Sequence, residues 1–136
     1  AAGNTMGKNL SLKKNMIQKL TVYSKALTPE EFDRPRPDRL EKGNPLRTTR
    51  NHYEKNGVSA GLWACETGAW RIAFAPGKDE FFHVIEGRIQ ITNAAGQAEQ
   101  FGPGDAGVIP AEFTGVFEVL EPVRKHYVIV DRAAVQ

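Results

Sequence analysis

The side chains that could do acid–base or metal chemistry are few and widely spaced. The sequence has three histidines, His52, His83 and His126, and a single cysteine, Cys65. One cysteine can form neither an intramolecular disulfide nor a cysteine-based zinc site. His83 stands three residues from Glu80, so in a strand the two side chains face opposite sides of the sheet. The spacing therefore predicts no cluster of metal ligands, and each histidine is interpreted as a surface or strand residue.

The elements that position these side chains are predicted to be strands. From residue 58 onward, short apolar runs alternate with turns rich in Gly, Pro, Asn and Asp, and no helical pattern intervenes. This pattern predicts an all-β, antiparallel sandwich or barrel. The alternation is clearest in residues 88–92, where Ile89 and Ile91 share a face. The expected strands are Val58–Glu66, Trp70–Ala75, Glu80–Glu86, Arg88–Thr92, Ala98–Phe101, Ala106–Ile109, Val116–Glu121 and Val123–Asp131.

The N-terminal part of the sequence is more irregular. Ile17, Leu20 and Val22 indicate a short first strand. Residues 28–31 (TPEE) have a capping Thr, a Pro at the first helical position and a Glu three residues after the cap, which predicts one helical turn ending near Phe32. Residues 33–50 are charged, interrupted by proline and poor in apolar side chains, so we interpret them as a loop arm.

Length and charge restrict the class of protein. A chain of 136 residues is the size of one domain. We divide it into a disordered tail (1–15), an N-terminal arm (16–57) and a barrel (58–136). The formal net charge is +2, and the five lysines of residues 1–25 are too sparse to indicate nucleic-acid binding. No apolar run approaches the ~20 residues that cross a membrane. We therefore expect a cytoplasmic protein that binds neither nucleic acid nor membrane.

Part of the barrel segment resembles the first motif of the cupin superfamily. That motif has the form G-x5-H-x-H-x3-E-x6-G, and Gly68, Glu80 and Gly87 fall at its spacings. Phe74 and Pro76 stand where the two histidines would be. Of the side chains that bind metal in such a motif, only the carboxylate is present.

The second cupin motif, G-x5-P-x-G-x2-H-x3-N, is matched by Gly104 and Pro110. Its glycine, histidine and asparagine positions are occupied by Glu112, Gly115 and Val119. Both Gly87 and Gly104 can supply the positive φ of a tight corner.

The C-terminal segment narrows the resemblance to one group of cupins. Residues 117–127 (FEVLEPVRKHY) are similar to the C-terminal signature of the EutQ-like cupins, which commonly lack the histidine triad. The resemblance covers roughly residues 58–131. It implies a single jelly-roll antiparallel barrel, no metal site and no cofactor, and it points to the metabolism of small amines, aldehydes or acids.

If Glu80 keeps the orientation that the resemblance implies, it points into the barrel. Strand alternation then directs Phe82 inward, and the preceding strand contributes Trp70 and Phe74. A carboxylate among aromatic rings needs an ionic or hydrogen-bonding partner. Such surroundings therefore require a cation or a donor on a neighbouring strand.

Lys125 is the expected partner of this carboxylate. It shares the parity of Tyr127 and Ile129, which form an apolar face, whereas Arg71 alternates away from Trp70 and faces out. A buried pair that only fixes strand register, or a Lys125 on the surface, are the structural alternatives.

Three functional hypotheses follow. The first is a small-molecule site in the barrel mouth, with Glu80 as general acid or base and with Lys125 and Tyr127 holding an anionic or carbonyl group. The second is a non-catalytic dimeric accessory or sensor protein whose barrel is filled by its own side chains. The third is a metal-dependent enzyme with unorthodox ligands. In the first hypothesis the walls of the site are formed by four aromatic residues: Trp70, Phe74, Phe82 and Phe113. Phe113 also suits the core or a subunit contact, as do Trp63, Phe81, Phe101 and Phe117.

We expect a homodimer, because small cupins cover their exposed sheet edges against a partner.

Overall fold

A computed structural model describes residues 17–134, which form one antiparallel sheet of nine strands that curls on itself. Three short 3-10 helices are present, and no α-helix occurs in residues 17–134. None of the described helices is long and apolar enough to cross a membrane. The strands are β1 Glu31–Asp33, β2 Leu40–Lys42, β3 Arg47–Lys55, β4 Val58–Cys65, β5 Gly68–Ala73, β6 Lys78–Asn93, β7 Ala98–Phe101, β8 Ala106–Ile109 and β9 Thr114–Asp131; the 3-10 helices are Tyr23–Lys25, Pro37–Arg39 and Arg132–Ala134. The predicted all-β cupin fold is confirmed.

Strands β6 and β9 hold the barrel together because they pair with each other over most of their length. The first half of β9 also pairs with β5, and its second half pairs with β4. On its other side, β6 pairs first with β8 and then with β7. Each long strand therefore takes part in both halves of the curled sheet, and side chains from the two halves meet in the interior.

The sheet bends near Gly87 in β6 and Pro122 in β9, the two positions at which the sequence predicted that one strand ends and the next begins. Three register shifts between β6 and β9 fall within residues 84–89. Gly87 has φ of +86°, and a Cβ atom there would lie 2.1 Å from the carbonyl oxygen of Pro122. The close backbone approach requires glycine. The two strands expected on either side of Gly87 are thus one bent strand, and the same is true on either side of Pro122.

The helical turn expected at residues 28–31 is wrong. Thr28 does not cap a helix; its Oγ1 hydrogen-bonds to His52 Nδ1 at 2.7 Å, and its carbonyl accepts a hydrogen bond from Arg50. The next residues form β1, in which Glu31 lies opposite Thr49 of β3. Pairing with the edge of β3 satisfies several backbone groups, whereas one isolated turn would satisfy few.

The loop arm expected at residues 33–50 and the first strand expected at Ile17, Leu20 and Val22 are also wrong. Residues 40–42 and 47–55 form β2 and β3, and residues 17–22 have no strand partner in the described part of the chain. The β3–β4 hairpin turns at Asn56-Gly57, where φ is +51° and +79°, the pattern of a two-residue type I′ turn. Residues 1–15, predicted to be a disordered tail, lie outside the described residues.

The core lies between the two halves of the curled sheet. Ile89 and Ile91 are buried there, which confirms the face predicted from their alternation. The turn at residues 102–105 also behaves as the sequence indicates: Gly104 has φ of +91°, and Asp105 accepts a hydrogen bond from the Gly102 amide at 2.9 Å. The buried cluster comprises Cys65, Trp70, Phe82, Val84, Ile89, Ile91, Ile109, Phe117, Val119 and Val123.

Candidate functional site

A cavity of about 490 Å³ in the barrel is lined by all three of the predicted catalytic residues, Glu80, Lys125 and Tyr127. Glu80 is on β6, and Lys125 and Tyr127 are on β9. Strand alternation directs Lys125 and Tyr127 to the same side of β9. In the β6–β9 pairing Phe82 lies opposite Tyr127, and this register brings Glu80 beside both side chains. The structure therefore assembles the carboxylate, the amine and the phenol that the sequence analysis selected.

Glu80 and Lys125 form a buried ion pair. Lys125 Nζ donates a hydrogen bond of 2.7 Å to Glu80 Oε2, and the two side chains are 5% and 12% exposed respectively. This confirms the predicted pairing and the inward orientation of Lys125. The rings of Trp63, Phe117 and Phe82 lie 4.6, 4.9 and 5.2 Å from the ammonium nitrogen. Lys125 is thus held by one carboxylate and three ring faces, all of which favour a cation.

One oxygen of Glu80 remains available to the cavity. Oε2 is engaged by Lys125, while Oε1 makes no hydrogen bond to a residue within 17–134. No fully buried side-chain nitrogen or oxygen atom in that range lacks a partner. Oε1 is therefore exposed to the cavity interior, where it can accept a proton or a hydrogen bond from a ligand.

Tyr127 is positioned by β3 and β4, which lie on the other side of β9 from the strand that carries Glu80. Its hydroxyl group donates a hydrogen bond of 2.8 Å to Asn51 Oδ1 on β3. Gly61 lies opposite Tyr127 on β4, and a Cβ atom there would come within 2.9 Å of the phenol oxygen and 2.0 Å of the Arg50 carbonyl oxygen. Burial, followed by nearby negative groups including Glu80, raises the pKa of Tyr127 to about 12. Tyr127 therefore remains a neutral hydroxyl group at ordinary pH.

A second wall of the cavity is contributed by strands that the sequence analysis did not predict. Arg47 on β3 binds Asp33 on β1 through two hydrogen bonds of 2.8 and 2.6 Å. Its guanidinium carbon lies 5.3 Å from the centre of the Trp70 ring. Thr49 and Ser59 add hydroxyl groups to the same cavity. Arg47 and Thr49 were missed because β3 is polar on both faces; the Asn-Gly turn at 56–57 was the signal that could have revealed this strand. Ser59 lies on β4, which was predicted as a strand.

The four predicted aromatic wall residues divide between two cavities. Trp70 and Phe74 line the cavity that contains Glu80. Phe113 lines a neighbouring cavity of about 480 Å³ instead. Phe82 also lines that second cavity, and its ring faces the Lys125 ammonium group. Only Trp70 and Phe74 are therefore placed to contact a ligand at Glu80.

The histidines lie away from the cavity lining. The rings of His83 and His126 are stacked with their centres 6.3 Å apart, and Tyr23 stacks on His52 at 4.2 Å. Burial, then the charges of His83 and Arg124, lowers the pKa of His126. Because Glu80 is buried and His83 lies opposite His126 on the other face of the sheet, the predicted opposite orientation of Glu80 and His83 is confirmed.

The residues at the metal-binding positions of a cupin do not fit a transition metal. Phe74 and Pro76 supply no donor atom, and Glu80 is already bound to Lys125. Gly115 could not carry an imidazole, because a Cβ atom there would lie 1.9 Å from the carbonyl oxygen of Thr92. Within residues 17–134 no three His, Cys, Asp or Glu side chains are grouped to hold a metal ion. No step of a reaction is therefore assigned to a metal.

Comparisons with known proteins agree with this geometry. The EutQ-like cupin domain matches residues 53–127. Among solved structures, the chain resembles a protein of unknown function from Pseudomonas syringae pv. tomato (20% identity, TM-score 0.67, 78% of this chain and 45% of that chain). It also resembles the EutQ protein of Clostridium difficile (18%, 0.60, 79% and 98%) and a cupin-2 domain protein of Shewanella frigidimarina (28%, 0.52, 62% and 79%). The chain thus spans less than half of the first of these proteins. No curated protein matches the sequence. The match over more than half of the sequence, together with the shared fold, shows that the chain belongs to the EutQ-like cupin family.

Proposed function

We propose that this cupin binds a small polar metabolite in its barrel cavity, without a metal, against the Glu80–Lys125 pair. The observation that carries the proposal is the cavity of about 490 Å³ beside a buried carboxylate with one oxygen free. A cavity of this size lies within the range of small-molecule sites, which combine apolar walls with a few polar groups. Burying an ion pair contributes little to stability by itself, so its presence at a cavity favours a ligand-directed role.

The arrangement supports acid–base chemistry on the bound molecule. Glu80 would act as the general acid or base through Oε1. The Lys125 ammonium group would hold a carbonyl or anionic oxygen of the ligand through a hydrogen that Glu80 does not accept. The Tyr127 hydroxyl group would join it by turning its one hydrogen from Asn51 Oδ1 to the ligand. Lys125 would also stabilise negative charge that develops on that oxygen.

The accessory-protein hypothesis requires a barrel filled by its own side chains. Phe74 does occupy a histidine position, but it lines the cavity and does not close it. The open volume therefore favours the ligand-binding hypothesis over the filled-barrel hypothesis.

A ligand screen by thermal shift tests this proposal. We expect some small carboxylates, aldehydes or amines to raise the melting temperature of the wild type, and the shift to be lost in Glu80→Gln. The amide oxygen would accept the hydrogen bond of Lys125, so the cavity would meet an NH2 group that cannot accept a proton or a hydrogen bond from the ligand. Glu86→Gln is the matched control, since Glu86 is an exposed partner of Arg124 and does not line the cavity. Equal shifts in all three proteins, or none in the wild type across the screen, would contradict the proposal.

A further inference from the structure

A strongly basic groove adjoins the cavity. It encloses about 330 Å³, and its charged lining is entirely cationic. The charged residues of the groove come from the 34–42 segment and from β3, β5 and the start of β6: Arg36, Arg39, Arg47, Arg71 and Lys78. With a formal net charge of only +2 for the whole sequence, five cations around one groove is a local concentration of charge.

Carboxylates outside the groove neutralise three of these five cations. Asp38 binds Arg36 at 2.8 Å, Glu41 binds Arg71 at 2.9 Å, and Asp33 binds Arg47. Each of these pairs fixes the orientation of a guanidinium group without filling all of its donors.

The other two cations, Arg39 and Lys78, form no ion pair with a carboxylate of residues 17–134. Both are only partly exposed. The Lys78 ammonium nitrogen lies 5.4 Å from the centre of the Phe74 ring, which holds it at the wall. The groove therefore presents two cations whose charge is not balanced by the protein.

The groove and the cavity share a wall. Arg47, Trp70, Ile72, Phe74 and Lys78 line both spaces. A molecule that reaches Glu80 along this wall would pass Lys78 and the indole of Trp70, which is itself only 6% exposed. An anionic group left in the groove would meet Arg39 and Lys78, while the rest of the molecule would extend towards the ion pair.

We propose that the ligand of this site is an organic anion, with a carboxylate or phosphate group held in the groove by Arg39 and Lys78. This inference rests on the proposed function and adds the chemical class of the ligand. Arginine and lysine donate charge-assisted hydrogen bonds to such groups, and partial burial limits screening by salt. A neutral molecule of the same size would leave the charge of both cations unbalanced.

Three compounds with the same three-carbon skeleton test the inference: glycerol, glycerate and glycerol 3-phosphate. Binding is followed by the fluorescence of the tryptophans, because Trp70 lines both spaces, and by calorimetry. We expect glycerate or glycerol 3-phosphate to bind and glycerol not to bind, and the stronger of the two anions identifies the group that the groove accepts. Arg39→Gln and Lys78→Gln should each weaken binding ~10- to 100-fold, the loss expected for one charge-assisted hydrogen bond. Arg124→Gln, which removes the same charge from a residue outside the groove and cavity, should change it less than about twofold.

The outcomes separate this inference from the proposed function. Failure of both anions to bind at ~10 mM, about ten times the upper end of ordinary Michaelis constants, or equal weakening by Arg124→Gln, would overturn the groove assignment. A neutral compound that binds, and whose binding is lost in Glu80→Gln but retained in Arg39→Gln and Lys78→Gln, would also overturn it while leaving the proposed function intact.

Discussion

Lys125 and Glu80 form one ion pair, but the two side chains have different surroundings. Lys125 also faces three aromatic rings, whereas Glu80 forms no second ion pair within the described part of the chain. Removal of the carboxylate therefore leaves the ammonium group partly compensated, because each desolvated cation–π contact contributes up to about 2 kcal/mol. Removal of the amine leaves the carboxylate with nothing comparable. The residue that tolerates substitution should thus be Glu80.

We predict that Lys125→Met lowers the free energy of unfolding by about 3–5 kcal/mol, the cost of an uncompensated buried charge. Glu80→Gln should cost about 1 kcal/mol, because its amide oxygen can accept the same hydrogen bond from Lys125. Urea denaturation of both single variants and of the double variant measures these costs. The double variant should recover most of the stability that Lys125→Met loses. A loss of 3–5 kcal/mol in Glu80→Gln as well would mean that the pair serves only as scaffold.

The bend in the paired strands β6 and β9 controls where the Glu80 and Lys125 side chains meet. Residues 84–89 carry the register shifts of β6 against β9, and a Cβ atom at Gly87 would lie 2.1 Å from the Pro122 carbonyl oxygen of β9. Lys125 lies opposite Val84, immediately beside this bend. A change in the bend would therefore move Lys125 relative to Glu80, which lies farther along β6.

Gly87→Ala and Gly96→Ala separate backbone conformation from close approach. The two glycines have φ of +86° and +83°, but a Cβ atom at Gly96 would meet nothing within 4 Å. We predict that Gly96→Ala lowers the free energy of unfolding by about 1–2 kcal/mol, the cost of a left-handed conformation for alanine. Gly87→Ala should cost clearly more, since the Pro122 carbonyl must also move. Thermal or urea denaturation of the two variants measures the difference, and equal losses would show that the contact at Pro122 can relax freely.

Whether a strand could be predicted from the sequence depended on the pattern of its side chains and of the turns beside it. β4, β7 and β8 were predicted nearly at their observed bounds, because turn residues mark the ends of these strands, even of β7, which is mostly exposed. β3 was missed because one of its faces lines a polar cavity and the other is only half-buried, so hydrophobic alternation is absent. The ion pair could be predicted from parity once a neighbouring strand was assumed. Arg47 and Asn51 could not, because their contribution to the cavity depends on β3 being a strand.

At the scale of the whole molecule, several large apolar side chains remain exposed. Phe81 on β6 and Val108 on β8 lie directly opposite each other, and their exposed fractions are 45% and 60%. Leu20, Leu27 and Phe32 in the N-terminal segment are 91%, 102% and 58% exposed. Within the described residues β8 pairs only with β6, so this apolar cross-strand pair lies at an edge of the sheet. Proteins usually cover such a surface.

We therefore propose that two copies associate through the face that carries Phe81 and Val108, and we predict a dimer in solution. A stable interface of this kind buries about 1,200–2,000 Å², more than two side chains provide, so the exposed N-terminal segment should take part. Light scattering across micromolar concentrations should return about twice the mass of the chain. Val108→Glu places a charge in the apolar contact and should produce monomers, whereas Ala98→Glu, a change at an exposed position of β7, should leave the dimer intact. A wild-type protein that scatters as a monomer throughout this range, or variants that behave alike, would show that this surface is not a contact between copies.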